Sequence, residues 1–275
     1  MLYVASALYE EVRPLIEKKQ LKKEAGVRGL QLFSNEKLKC AVCGTGQLNA
    51  ASSAATLLEK VHAGSQDVLL WYGCAAGIKP GVFQAECITD TVTQRTYYPD
   101  LLLDTDLPLT GFLSGYQLYA QQNARMDETH GIYEMECAGA ACAAGRVMGP
   151  HQLFFVRFVS DDGSGILTRQ RLHDLSLQYA PVLEDLVNKL LAYQDLLCEN
   201  TETDHGEMID ALAEKLHATV AMRAQIAQLL RYGHASGIDT DAFIKKALLA
   251  EVKDKEVGKQ VLHELEREIV TAGFH

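Results

Sequence analysis

No apolar run in this sequence approaches the ~18–20 residues that a helix needs to cross a bilayer, so a membrane-embedded protein is not expected. The first residues, Met1-Leu2-Tyr3-Val4-Ala5, lack the basic-then-apolar layout of a secretory signal and read as a strand. Basic runs are scarce too. Only Glu17-Lys18-Lys19-Gln20-Leu21-Lys22-Lys23 gathers cations, as the solvated end of a helix would. With a formal net charge of −10, the chain is not expected to bind nucleic acid, which calls for clustered Lys and Arg. Paired cysteine motifs are missing as well. The seven cysteines are an odd set in mostly apolar surroundings, which suggests buried thiols in a reducing, cytoplasmic setting. Cys40-Ala41-Val42-Cys43 has metal-ligand spacing but lies in strand-like alternation, where positions three apart face opposite ways. No second pair supplies matching ligands and the nine histidines are scattered, so neither a metal nor another cofactor is expected.

What is present is an alternation of strand and helix patterns from residue 2 to about 195. A strand at 2–7 leads to a helix beginning near Val12, with Pro14 in its first turn. Leu30–Phe33 and Lys37–Cys43 read as a hairpin, and an alanine-rich helix spans roughly 49–62. Val68–Tyr72 and Glu86–Gln94 read as strands, 95–108 as loop, 131–135 as a short strand and 136–147 as a helix. Residues 152–159 are β-branched or aromatic almost throughout, as in a strand covered on both faces, and an amphipathic helix follows at 167–193. The polar stretch Cys198–His205 marks a boundary between 1–198 and 199–275. Beyond it three short helices are expected, the first carrying Leu212, Leu216, Val220, Ile226 and Leu230.

Four features carry chemistry. Glu10-Glu11 ends the first strand, either complementing a helix dipole or supplying a general base. Gly44-Thr45-Gly46 and Gly73-Cys74-Ala75-Ala76-Gly77 read as tight turns, or as places where a ligand meets backbone N–H groups. Glu134-Met135-Glu136 joins a strand to a helix. A carboxylate there can accept both hydroxyls of a ribose, and equally can be a helix-initial acid beside a core methionine. Ser160-Asp161 follows the buried strand, at the strand end where open α/β sheets place their ligands. Asp161 is a helix cap or a working acid.

In this order the features resemble the nucleoside phosphorylase/nucleosidase superfamily, and within it the 5′-methylthioadenosine/S-adenosylhomocysteine nucleosidases. Ser6-Ala7-Leu8-Tyr9-Glu10-Glu11 stands where that family has a Gly-Ala-Met-Glu-Glu-Glu-like motif, and Cys43-Gly44-Thr45-Gly46 where it has Ser-Gly-Ile-Gly. Tyr72-Gly73-Cys74-Ala75-Ala76-Gly77 matches its Thr-Gly-Ser-Ala-Gly-Gly, and Glu134-Met135-Glu136 and Arg157-Phe158-Val159-Ser160-Asp161 match its last two motifs. The resemblance implies an α/β fold with a three-layer mixed sheet of the nucleoside phosphorylase type, extended here by a small all-helical C-terminal appendage. It implies an N-ribosyl hydrolase acting on a purine nucleoside of the adenosine type. Asp161 would protonate N7 of the leaving base with Ser160 orienting it, and Glu11 would act on the attacking water. Glu136 would hold the ribose hydroxyls, Met135 would line the sugar site, and Gly46, Ala75 and Ala76 would form the floor. It also implies a homodimer. Hydrolysis is favoured over phosphorolysis because no arginine neighbours either glycine-rich segment in the sequence. Arg157 reads as a structural ion-pair partner.

The chain departs from the family between Gln94 and Glu134, an interval shorter than the family's. Tyr97-Tyr98-Pro99-Asp100 stands near the family's Tyr-His-Asp segment without its histidine. Phe112, Tyr116 and Tyr119 can offer a stacking surface for the base, or 113–124 can form a plain surface helix. Three readings follow: an active hydrolase, a catalytically impaired nucleoside-binding or assembly protein using the same pocket, and, compatible with either, a protein-interaction role for 205–275.

Overall fold

The chain opens with strand β1 (Leu2–Ser6), buried at every position, and helix α1 (Tyr9–Lys18). Short strands β2 (Lys22–Lys23), β3 (Gln31–Ser34) and β4 (Leu38–Val42) precede helix α2 (Gln47–Lys60). Strands β5 (Val68–Gly77), β6 (Val82–Asp90), β7 (Thr96–Tyr97), β8 (Leu109–Ser114) and β9 (Ile132–Glu134) follow. Helix α3 (Cys137–Ala144), strand β10 (Leu153–Asp161) and helix α4 (Arg169–Glu199) come next. This computed structural model describes the whole chain except residues 25–29, 120–125, 164–166, 200–205 and 273–275. Two compact units result, Met1–Glu199 and Asn200–His275.

In the first unit β5 is the organising strand. It pairs in parallel with β1 and with β10. From β10 the sheet continues through antiparallel β6, then β8 and β9, and β9 returns antiparallel to the end of β5. Those five strands close on themselves, while β1, β4, β3 and β2 extend the sheet outward. Period-two alternation sorts the side chains into two layers. Leu69, Trp71 and Phe155 pack with α2 and α3, while Leu70, Val156 and Phe158 pack with residues of α1 and α4. Each such buried side chain contributes about 1.5–3 kcal/mol of apolar transfer. The result is the expected three-layer mixed α/β fold. Cys40 and Cys43 fall in opposite layers.

Several local expectations are corrected. Gly73–Gly77 is not a turn. β5 runs straight through it, because β10 pairs with it from Gly73↔Arg157 to Ala76↔Asp161 and β9 pairs with Ala76 and Gly77. Helix α1 begins at Tyr9 rather than near Val12, because Glu11 turns back to accept the Leu8 N–H at 2.8 Å, which caps the first turn. Residues 109–114 form a sheet strand, so a helix over 113–124 is excluded at its start; 120–125 lie outside the described residues. Phe112 is buried in the core rather than facing a ligand.

Among the described residues the second unit has four helices where three were expected: α5 (Gly206–Lys215), α6 (Val220–Ala235), α7 (Asp241–Leu249) and α8 (Lys255–Ala272). Its own core gathers Leu212, Leu216, Ile226, Leu230, Leu265 and Ile269. The run through Leu212 and Leu230 breaks in the middle. His217 adopts φ 47°, and the Thr219 side chain accepts the Met222 N–H to cap a new helix. Val220 therefore begins α6 and is exposed.

Candidate active site

A cavity of about 590 Å³ opens beyond the carboxyl ends of β1, β5, β9 and β10. Glu11, Ala75, Ala76, Met135, Glu136, Ser160 and Asp161 all line it. Gly46 does not; Thr45 takes its place in the wall, and Gly46 acts through its N–H on a carboxylate.

Glu11 is held on both oxygens. Its Oε2 accepts the Ser6 hydroxyl at 2.5 Å and the Leu8 N–H at 2.8 Å, and its Oε1 accepts the Cys74 N–H at 2.8 Å. The contact to Cys74 requires the bare backbone of Gly73. A Cβ there would lie 2.7 Å from Arg157 Nη1 and 2.9 Å from Glu11 Oε1. Cys74 itself lines the cavity, and burial together with the Glu11 charge keeps its thiol protonated.

Glu136 accepts the Gly46 N–H on Oε1 at 2.8 Å and Arg157 Nη2 on Oε2 at 3.2 Å. Gly46 presents that N–H at φ 92°, the left-handed region that favours glycine. Burial pushes the Glu136 carboxyl up to about 7, with Glu134 and Glu11 adding to the rise against the pull of Arg157 and the Gly46 N–H. Glu134 moves the other way. Burial opposes its ionisation, but the Arg157 charge and hydrogen bonds from Arg157, at 2.8 Å, and the Glu136 N–H, at 2.8 Å, hold it below the usual range. Burial works against the Arg157 charge, and the surrounding Cys137, Glu134 and Glu136 outweigh it and keep the guanidinium ionised. The expected ion-pair role of Arg157 is what the geometry contains.

Asp161 ends β10, just past a register shift in its pairing with β5. Its Oδ2 accepts the Ser160 hydroxyl at 2.7 Å and its Oδ1 accepts the Gly163 N–H at 2.8 Å. The same hydroxyl lies 3.1 Å from Ala75 O, so its single proton serves one oxygen at a time. Beside this acid stands Tyr119, also in the cavity wall, packed on Tyr133 with centroids 5.1 Å apart. Gly163 makes room for it: a Cβ there would lie 1.9 Å from Tyr119 Cδ1. Of the three aromatics considered from sequence, Tyr119 alone lines this cavity; Tyr116 is exposed outside its wall.

Glu10 points away, to Arg169 on α4. Thr45 and Glu134, from two of the motifs singled out in the sequence, also line it, whereas Leu8, Leu118 and Leu167 are wall residues that sequence reasoning did not assign to a site, since nothing local marks an apolar residue as facing a ligand. Among the described residues no cluster of His, Cys, Asp and Glu is arranged to hold a metal ion, and no helix is long and apolar enough to cross a membrane.

No protein-family model matches the chain, and no curated protein matches it. Solved structures do, and the fold they share with this chain is the one found in 5′-methylthioadenosine/S-adenosylhomocysteine nucleosidases and in a futalosine hydrolase. The 5′-methylthioadenosine/S-adenosylhomocysteine nucleosidase of Neisseria meningitidis, in complex with methylthio-immucillin-A, is 17% identical with a TM-score of 0.56, covering 68% of this chain and 97% of its own. A point mutant of the Helicobacter pylori nucleosidase with 5′-methylthioadenosine in its active site is 13% identical, TM-score 0.58, covering 68% and 98%. The futalosine hydrolase of Helicobacter pylori is 14% identical, TM-score 0.58, covering 68% and 97%.

Proposed function

We propose that this chain is an N-ribosyl hydrolase that cleaves the glycosidic bond of an adenosine-type nucleoside resembling methylthioadenosine or S-adenosylhomocysteine. The observation that carries this reading is the convergence on one cavity of Glu11 from the first turn of α1, Glu136 from the cap of α3 and Asp161 from the end of β10.

Each carboxylate has a distinct task. Glu136, with lone pairs left over after Gly46 and Arg157 are served, accepts the ribose 2′ and 3′ hydroxyls. Glu11 takes a proton from a water whose oxygen attacks C1′. Asp161, oriented by Ser160 and Gly163, delivers a proton to N7 as the bond to the base breaks, so the base leaves neutral. Tyr119 gives that base an aromatic wall.

Water is favoured over phosphate as the nucleophile. No arginine lies near either glycine-rich segment in the sequence, but the fold brings one to the second: Arg157 Nη1 abuts Gly73. Its Nη2 is taken by Glu134 and Glu136, and Glu11 lies beside its Nη1, so an entering dianion would meet three carboxyl groups around one cation. The test is incubation of the purified full-length chain with methylthioadenosine, S-adenosylhomocysteine, futalosine and inosine, reading free base by chromatography. Phosphate-independent release from one member is expected. Tight binding without release would replace the hydrolase with a nucleoside-binding module.

A further inference from the structure

Two arginines near the start of α4 reach the residues that immediately precede the two proposed catalytic acids. Arg169 donates from Nε to Glu10 Oε1 at 2.8 Å and from Nη2 to the same oxygen. Arg171 donates from Nη2 to the Ser160 carbonyl at 3.3 Å. Glu10 is the chain neighbour of Glu11, and Ser160 of Asp161.

Both anchor points need such a partner. Glu10 is buried, and among the described residues its second oxygen has no hydrogen bond, with Arg13 at 3.8 Å and His173 at 3.6 Å facing it. Ser160 falls at the register shift where the ladder between β10 and β5 skips a residue. Such irregularities re-aim side chains next to active sites and leave backbone groups to be satisfied elsewhere.

We infer that Arg169 and Arg171 are positioning residues, with the start of α4 setting the separation between Glu11 on α1 and Asp161 at the end of β10. The catalytic consequence rests on the hydrolase reading; the structural tie does not. Arg169 is 84% exposed, so solvent screens its half of the pair, and Arg13 and His173 still face the Glu10 carboxylate when Arg169 is removed, which keeps the cost to global stability small. Misplacing a reacting group by about 1 Å, by contrast, can lower a rate about a hundredfold. The effect therefore belongs in kcat and in local backbone order, not in Tm.

The test uses full-length Arg169→Met, Arg171→Met and the double variant, with Lys18→Gln as control. Lys18 bridges Glu184 at 2.9 Å between the same two helices, away from the cavity. Base release, thermal unfolding and amide hydrogen exchange in peptides 6–12 and 159–163 are measured. Each single variant is expected to lose about tenfold in kcat with KM little changed, and the double about a hundredfold. Exchange in both peptides should accelerate, while Lys18→Gln leaves kcat and exchange at wild-type values and all variants share its Tm. A Glu10→Lys/Arg169→Glu swap should recover part of the loss of Arg169→Met. Unchanged exchange overturns the positioning role, as does a kcat equal to that of wild type or a loss matched by Lys18→Gln. If wild type releases no base yet the variants' exchange accelerates, the hydrolase reading fails and the positional tie stands.

Discussion

The Arg157 guanidinium lies 3.2 Å from the Glu136 carboxylate, and the same nitrogen lies 2.8 Å from Glu134, with all three side chains shut away from solvent. With Glu11 also buried nearby, one cation answers three carboxyl groups. That imbalance favours a ligand that develops positive charge and keeps one carboxyl near its neutral form.

Removing the shared cation should be severe. Arg157→Met leaves two buried carboxylates without their counter-charge, a change that typically destabilises by about 3–5 kcal/mol. Denaturant unfolding of the variant is expected to show a loss of that size. A loss under about 1 kcal/mol would mean that water, not Arg157, compensates Glu134 and Glu136.

Glu136 sets a pH dependence with two opposite signs. Its carboxyl titrates at about 7 in the folded chain, against an ordinary value of 4.5. The folded state therefore holds more protons than the unfolded state across that interval, and the contribution of Glu136 to stability falls as pH rises from 4.5 towards 7. On the proposed reading Glu136 accepts the ribose hydroxyls in its ionised form, so kcat/KM should climb over the same range and level off above it. Glu136→Gln should flatten both profiles. A wild-type kcat/KM that stays constant across that interval would contradict the assignment.

Asp161→Asn should lower kcat on a purine nucleoside by about 10²–10⁴-fold, because the base would leave without its N7 proton. A riboside with a p-nitrophenyl leaving group needs no such proton and should lose far less. Equal losses on both substrates would assign Asp161 to folding or binding rather than to leaving-group protonation.

Gly73→Ala is expected to damage the site through crowding. The added methyl would press on Arg157 Nη1 and Glu11 Oε1, and the overpacking should cost about 1–3 kcal/mol. Base release should fall further than stability accounts for, since Glu11 must shift. Full activity with an unchanged melting profile would show that the Glu11–Cys74 contact is dispensable.

The helical unit has its own close contact: a Cβ on Gly258 of α8 would lie 2.0 Å from the Leu216 carbonyl, just past α5. Gly258→Ala should destabilise that unit by about 1–3 kcal/mol while leaving base release unchanged, read by calorimetry beside the activity assay. A parallel loss of activity would tie the helices to the reaction.

Sequence alone determined what local periodicity and residue chemistry encode. The buried run of β10 announced its strand, Ser160-Asp161 announced a carboxylate at its end, and the order of Glu11, Glu136 and Asp161 along the chain was enough to suggest one site. Small residues at 73–77 could not reveal whether they turn or extend, because strand pairing with the distant segment Arg157–Asp161 decides it. Only the folded chain turned Arg157 into the shared counter-ion of Glu134 and Glu136, sent Glu10 to Arg169, and set Tyr119 rather than Phe112 beside Asp161. Those outcomes depend on which side chains burial brings into contact across the chain, and burial is a property of the packed layers rather than of any window of sequence.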